Sequence, residues 1–214
     1  MNKLSFVASM LMMCLPMTMM AQKNGAKAQD KPDPNFQIYL CFGQSNMEGN
    51  AAIEDIDRTG VNPRFMAMYA VDDEKAGWKK GQWHTAVPPQ ARPDTGLTPV
   101  DYFGRKMVDN LPDSIKVGTI TVAVGGASID LFDKRTCKAY LKKQPDWMKN
   151  FASQYNGNPY ARLIELAKIA QKQGVIKGIL LHQGETNNGD VNWPNRVKTC
   201  LLYTSPSPRD VEES

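Results

Sequence analysis

Three short apolar runs, each closing on a polar cluster that carries glycine, constrain this chain more than any other feature. Phe36-Gln37-Ile38-Tyr39-Leu40-Cys41-Phe42 ends at Gly43-Gln44-Ser45-Asn46. The β-branched stretch Lys116 to Val124 runs into Gly125-Gly126-Ala127-Ser128, and Val175 to Leu181 ends at His182-Gln183-Gly184-Glu185. Apolar runs of this length bounded by glycine read as strands, the first of them buried. A fourth is expected over Phe65 to Ala70. Between them the periodicity changes to that of helices. Pro99 to Asn110 places Val100, Phe103, Met107 and Val108 on one face, with Thr98 as cap and Pro99 in the first turn. Asn158-Pro159 opens a second helix carrying Tyr160, Leu163, Ile164, Ala167 and Ala170 on one face, and Gly174 stops it. Strand and helix in alternation predict an α/β fold with a parallel sheet. In such a sheet, functional residues collect beyond the carboxyl ends of the strands, where all three clusters would meet. Segment 72–98 is polar and carries Gly, Pro and Trp, and reads as a long surface loop.

At 214 residues the chain is long enough for one domain with a full core. A net charge of +4 without a run of four consecutive Lys or Arg gives no footprint for nucleic acid. Two histidines are few for a metalloenzyme. Residues 1–21 read as an export signal, with Lys3 before an apolar stretch and Ala21 at the cleavage point. That stretch is too short and too interrupted for a membrane span, so a secreted or periplasmic protein is expected. Residues 22–35 read as a flexible lead-in and 36–199 as the domain. Residues 200–210, Cys200 to Asp210, resemble an in-frame translation of a sequencing adapter, and 200–214 read as a non-native tail that cuts the domain short. The helix beginning at Trp193-Pro194 is expected to be stopped by the prolines that follow Thr199. Within the domain only Cys41 and Cys137 remain, and buried free thiols are expected rather than a bridge.

The chemistry these clusters allow is acyl transfer. Ser45 follows a strand and a glycine and begins a turn, a position that exposes its hydroxyl and its own N–H. Gly125-Gly126 allows close backbone approach and a second N–H donor. Gln183 brings a side-chain amide. A serine nucleophile with a three-donor oxyanion hole would result. The G-x-S-x-G elbow is absent, because Met47 stands at its last glycine position.

Gly43-Gln44-Ser45-Asn46-Met47, then Gly125-Gly126-Ala127-Ser128, then His182-Gln183-Gly184-Glu185 resemble the SGNH-hydrolase branch that includes sialate O-acetylesterases and acetylxylan esterases. The resemblance covers about 36–199. It implies a three-layer α/β/α sandwich similar to flavodoxin, incomplete at the C-terminus. It also implies a serine carbohydrate esterase that removes O-acetyl groups through an acyl-enzyme, with no cofactor and no metal. Ser45 inherits the role of nucleophile; Gly126 (or Gly125) and Gln183 inherit the oxyanion donors. Gln44, Asn46 and Glu185 are expected to contact an acetylated carbohydrate. The family takes its base and base-orienting acid from a late Asp-x-x-His, and this sequence contains none.

His182, one residue from Gln183 on a strand, should point to the opposite face, pack and hydrogen-bond there. His84 lies in the long loop, either lining a sugar site or solvated. Trp78 and Trp83 either stack on sugars or pack half-buried on the domain. The competing class is a carbohydrate-binding protein without catalysis, in which the same cleft merely hydrogen-bonds hydroxyl groups.

Overall fold

The computed structural model describes residues 31–204. The expected signal segment and residues 205–214 lie outside them. Five strands form one sheet: β1 (Phe36–Gly43), β2 (Phe65–Met68), β3 (Trp83–Thr85), β4 (Lys116–Ala123) and β5 (Val175–His182), in the order β3-β2-β4-β1-β5. β1 pairs in parallel with β4 and with β5, and β2 pairs in parallel with β4. Only β3 is antiparallel. The helices are α1 (Ser45–Glu48), α2 (Asp55–Arg58), α3 (Pro99–Asn110), α4 (Cys137–Lys142), α5 (Asp146–Ser153), α6 (Pro159–Ala170) and α7 (Trp193–Thr204).

The pleat of β1 sends alternate side chains to two cores. Ile38, Leu40 and Phe42 join Ile120, Val122 and Val124 of the adjoining chain in the larger core, under Leu163, Leu166, Ala167 and Ala170 of α6. On the opposite face Cys41 and Ala123 meet Val100 of α3, while Phe65, Ala67 and Val117 meet Val108. Helices therefore cover both faces, giving the three layers. Truncating a fully enclosed residue such as Leu40 would remove about 2–5 kcal/mol. The expected caps are present. Thr98 Oγ1 accepts from Val100 N and donates to the Met47 carbonyl at 2.8 Å, and Asn158 Oδ1 accepts from Ala161 N at 3.0 Å.

Segment 72–98 departs from the expected surface loop. β3 pairs within it against β2, and Ala86, Gln90, Ala91 and Arg92 are buried. The polar members find partners inside the fold: Gln90 Nε2 donates to Asp101, and Arg92 pairs with Glu48. Trp83 packs edge-on against Phe36 with ring centroids 4.8 Å apart and donates its N–H to Gln173. Trp78 stacks on His84, centroids 3.8 Å apart and nearly coplanar, and meets Tyr69 edge-on. Both tryptophans pack on the domain.

His84 is half-buried and packed on aromatic rings. It sits between Trp78 and Tyr69, its Nδ1 donating to the Thr85 carbonyl. Cys41 and Cys137 are buried free thiols, and burial pushes the Cys137 thiol up to about 11. Helix α7 crosses residue 199 and reaches Thr204, next to the Ser205-Pro206 step that disfavours further helix. Cys200 is enclosed in the larger core beside Phe132, whose carbonyl its thiol faces at 3.2 Å. Among the described residues no helix is long and apolar enough to cross a membrane.

Candidate active site

The carboxyl ends of β1, β4 and β5 stand level, because Gly43 pairs with both Ala123 and His182. The chain leaves all three strands at one edge, and only glycine fits at Gly43: a Cβ there would lie 2.0 Å from the His182 carbonyl oxygen. This close contact draws the Gln44-Ser45-Asn46 turn against the end of β5, where Gln44 N donates to that carbonyl at 3.0 Å.

Ser45 is the first residue of α1 and is partly exposed. Its Cβ lies 3.9 Å from where a Cβ would stand on Gly125. Gly126 follows with a φ of 68°, a conformation that glycine adopts without the cost a Cβ would impose. Among the described residues, no protein acceptor takes the backbone N–H of Ser45 or of Gly126. The Ser45 turn and the Gly125-Gly126 segment thus lie side by side, and each carries an N–H without a protein acceptor.

Gln183 reaches the same cluster but its amide is engaged. Nε2 donates to Asn187 Oδ1 at 2.7 Å, to the Ala127 carbonyl at 3.2 Å and to Gln44 Oε1 at 3.4 Å. Its Oε1 accepts the indole N–H of Trp193 at 2.7 Å. An amide nitrogen has two hydrogens, so Gln183 acts here as a buried brace joining the neighbours of Ser45 and Gly126. Gln44, expected to face substrate, is also buried. Its Oε1 receives the backbone N–H groups of Gly184 and Thr186, at 3.3 and 3.2 Å.

Asn46 and Glu185 are exposed and joined, Asn46 Nδ2 donating to Glu185 Oε1 at 2.7 Å. His182 points away from Gln183 as expected, but it is not packed. It is exposed, with Nδ1 3.4 Å from the same Glu185 oxygen. It lines a cavity of about 360 Å³ with Asn46, Asn50, Leu97 and Tyr102, opening on the α3 side of the turn.

Four residues that the sequence did not single out complete the architecture. Asn187 Nδ2 donates to Ser128 Oγ at 3.0 Å, and Asn187 Oδ1 also accepts from Ile129 N, locking the second cluster to the third. Thr186 Oγ1 donates to the Gly126 carbonyl at 3.0 Å. Glu48 and Arg92 form an ion pair of 2.5 Å beneath the turn, and Glu48 Oε2 lies 2.8 Å from the place of a Gly125 Cβ. Each of these contacts spans more than thirty residues of chain, so no local pattern announces it.

Residues 35–201 match the family described as carbohydrate esterase, sialic acid-specific acetylesterase. The chain belongs to that family. As a family member it is a carbohydrate acetylesterase by descent, and its layers agree with those of solved structures. A protein from Arabidopsis thaliana is 18% identical, with a TM-score of 0.58 over 84% of this chain and 70% of that one. NanS is 15% identical, with a TM-score of 0.54 over 86% of this chain and 64% of its own. A carbohydrate acetylesterase from Xanthomonas citri is 21% identical, with a TM-score of 0.44 over 72% of this chain and 33% of that one. The first two carry the likeness of fold.

Proposed function

We propose that this family member is a serine-dependent esterase that removes O-acetyl groups from sugars through an acetyl-enzyme at Ser45. The observation that supports it most is the approach of Gly125 to the Ser45 side chain, with the N–H groups of Ser45 and of the following Gly126 unengaged. In this reading the Ser45 hydroxyl oxygen attacks the ester carbonyl carbon while a base takes its proton. The oxyanion of the tetrahedral intermediate accepts from the two N–H groups, and the sugar oxygen leaves with a proton. Water then attacks the acetyl-serine and acetate departs. Gln183 joins as a third donor by exchanging one of its three acceptors for the oxyanion. Asn46 and Glu185, exposed at the mouth, hydrogen-bond the sugar.

Activation of Ser45 is the weak step. With no Asp-x-x-His in the sequence, the hydroxyl lacks the family's base, and loss of a triad member reduces turnover by orders of magnitude. We therefore infer that Ser45 reaches full activity only with an Asp-x-x-His pair beside it. Export with removal of residues 1–21 would place the enzyme where acetylated polysaccharide is met.

The test is covalent labelling. An organophosphonate should add one equivalent at Ser45 of the chain supplied with its Asp-x-x-His, and Ser45→Ala should abolish both label and acetate release. A carbohydrate-binding protein without catalysis would bind acetylated sugar and take up no label.

A further inference from the structure

Of the four tryptophans, three are accounted for by packing. Trp78 lies on His84, Trp83 on Phe36, and Trp193 gives its N–H to Gln183. Trp147, on the first turn of α5, is different: it is 48% exposed. An indole in water forgoes the burial that usually holds so large an apolar side chain.

Its position is nevertheless fixed from two sides. Its ring edge, Cη2, stands 2.9 Å from where a Cβ would project on Gly126, so the indole overhangs the residue whose N–H is unengaged. Its other side meets Phe151 edge-on, centroids 5.9 Å apart. Phe151 in turn lies under the Arg92 guanidinium, 4.5 Å from the ring centre. Arg92 is paired with Glu48, which shares α1 with Ser45. The indole is thus tied to the serine turn through the Gly126 backbone and through the chain Phe151–Arg92–Glu48.

We propose that Trp147 is the sugar platform of this site, an inference that rests on the esterase reading above. A pyranose ring has an apolar face of C–H groups and a hydroxyl-bearing rim. The face lies on the indole, and an acetyl ester on the rim reaches past Gly126 to Ser45. The glycine at 126 serves both parts, since a side chain there would push the indole off the oxyanion donor. Specificity then depends on which ring position carries the ester when the ring is flat on Trp147.

Binding without turnover tests this. The full chain carrying Ser45→Ala is labelled with ¹⁵N at its tryptophans and titrated with O-acetylated N-acetylneuraminic acid and with an O-acetylated methyl xyloside. The Trp147 resonance is assigned by its loss in Trp147→Phe. The expected result is movement of that indole resonance by at least one of the two sugars. Trp147→Ala should weaken that sugar by about tenfold, whereas Trp147→Phe should hold affinity within about threefold. No movement at Trp147 up to the solubility of both sugars, movement only at another tryptophan, or equal affinity in Trp147→Ala would overturn the proposal. Binding at Trp147, with no organophosphonate taken up by Ser45 of the chain supplied with an Asp-x-x-His, would uphold the platform and remove the serine mechanism, so the two failures are separable.

Discussion

Glu48 and Arg92 pair at 2.5 Å directly behind the turn that carries Ser45, with the guanidinium 2% exposed. Arg92 also donates to the Ala123 carbonyl at 3.1 Å, so one side chain fastens α1 to the end of β4. Removing the carboxylate leaves a buried cation without its partner. Glu48→Ala should therefore lower stability by about 3–5 kcal/mol in urea titration, and Glu48→Gln by less, because the amide oxygen still accepts. Equal stability of Glu48→Ala and the parent would show the pair to be energetically idle.

Gly126→Ala places a methyl in left-handed backbone and against Trp147. Strain alone should remove about 1–2 kcal/mol. Displacement of the indole should change the tryptophan emission spectrum, and organophosphonate labelling should slow in the same variant. Unchanged emission would contradict the contact.

Trp193→Phe keeps the ring but deletes the N–H that satisfies Gln183 Oε1. Leaving that buried oxygen unpaired should lower stability by about 1–3 kcal/mol. The Gln183 amide should also exchange more rapidly with solvent in hydrogen-exchange NMR. Protection equal to that of the parent would mean that Gln183 does not depend on α7.

His84 makes stability depend on pH. Burial holds its pKa below the usual 6.5, with the bond to the Thr85 carbonyl opposing more weakly. The unfolded chain then binds a proton that the folded chain resists. Stability is complete above 6.5 and falls as pH drops below it. Asp133 and Glu165, lowered by Arg135 and by Lys80 respectively, begin to lose their contribution only below about 3.8 and 4.5. Urea midpoints measured at several pH values between about 5 and 6.5 should therefore slope downward with acid, and His84→Phe should flatten that slope. An unchanged slope in the variant would assign the effect elsewhere.

How much of this was legible in the sequence varied with the range of the interactions. β1, β4 and β5 are central or long strands whose apolar runs end on glycine, so local pattern was enough, and Thr98 and Asn158 announced their helices. β3 was not legible: Trp83-His84-Thr85 has no strand pattern and exists because Trp83 packs on Phe36. Helices α4 and α5 are short, and α5 is held by Met148 and Ala152 in the core. The burial of 86–92 depends on Glu48 and Asp101, partners that no periodicity reveals. At the site, the meeting of Ser45, Gly126 and Gln183 followed from strand-end placement. What did not follow was that the Gln183 and Gln44 amides would be absorbed by one another and by Asn187.

The bond from Trp193 to Gln183 means that α7 reads out on the Gln44-Ser45 turn, since Gln183 in turn holds Gln44, the residue before Ser45. A fragment ending ahead of Trp193 would keep every strand of the sheet yet release that latch. The edge at the carboxyl ends of the strands would then lose its shape while the scaffold behind it survived.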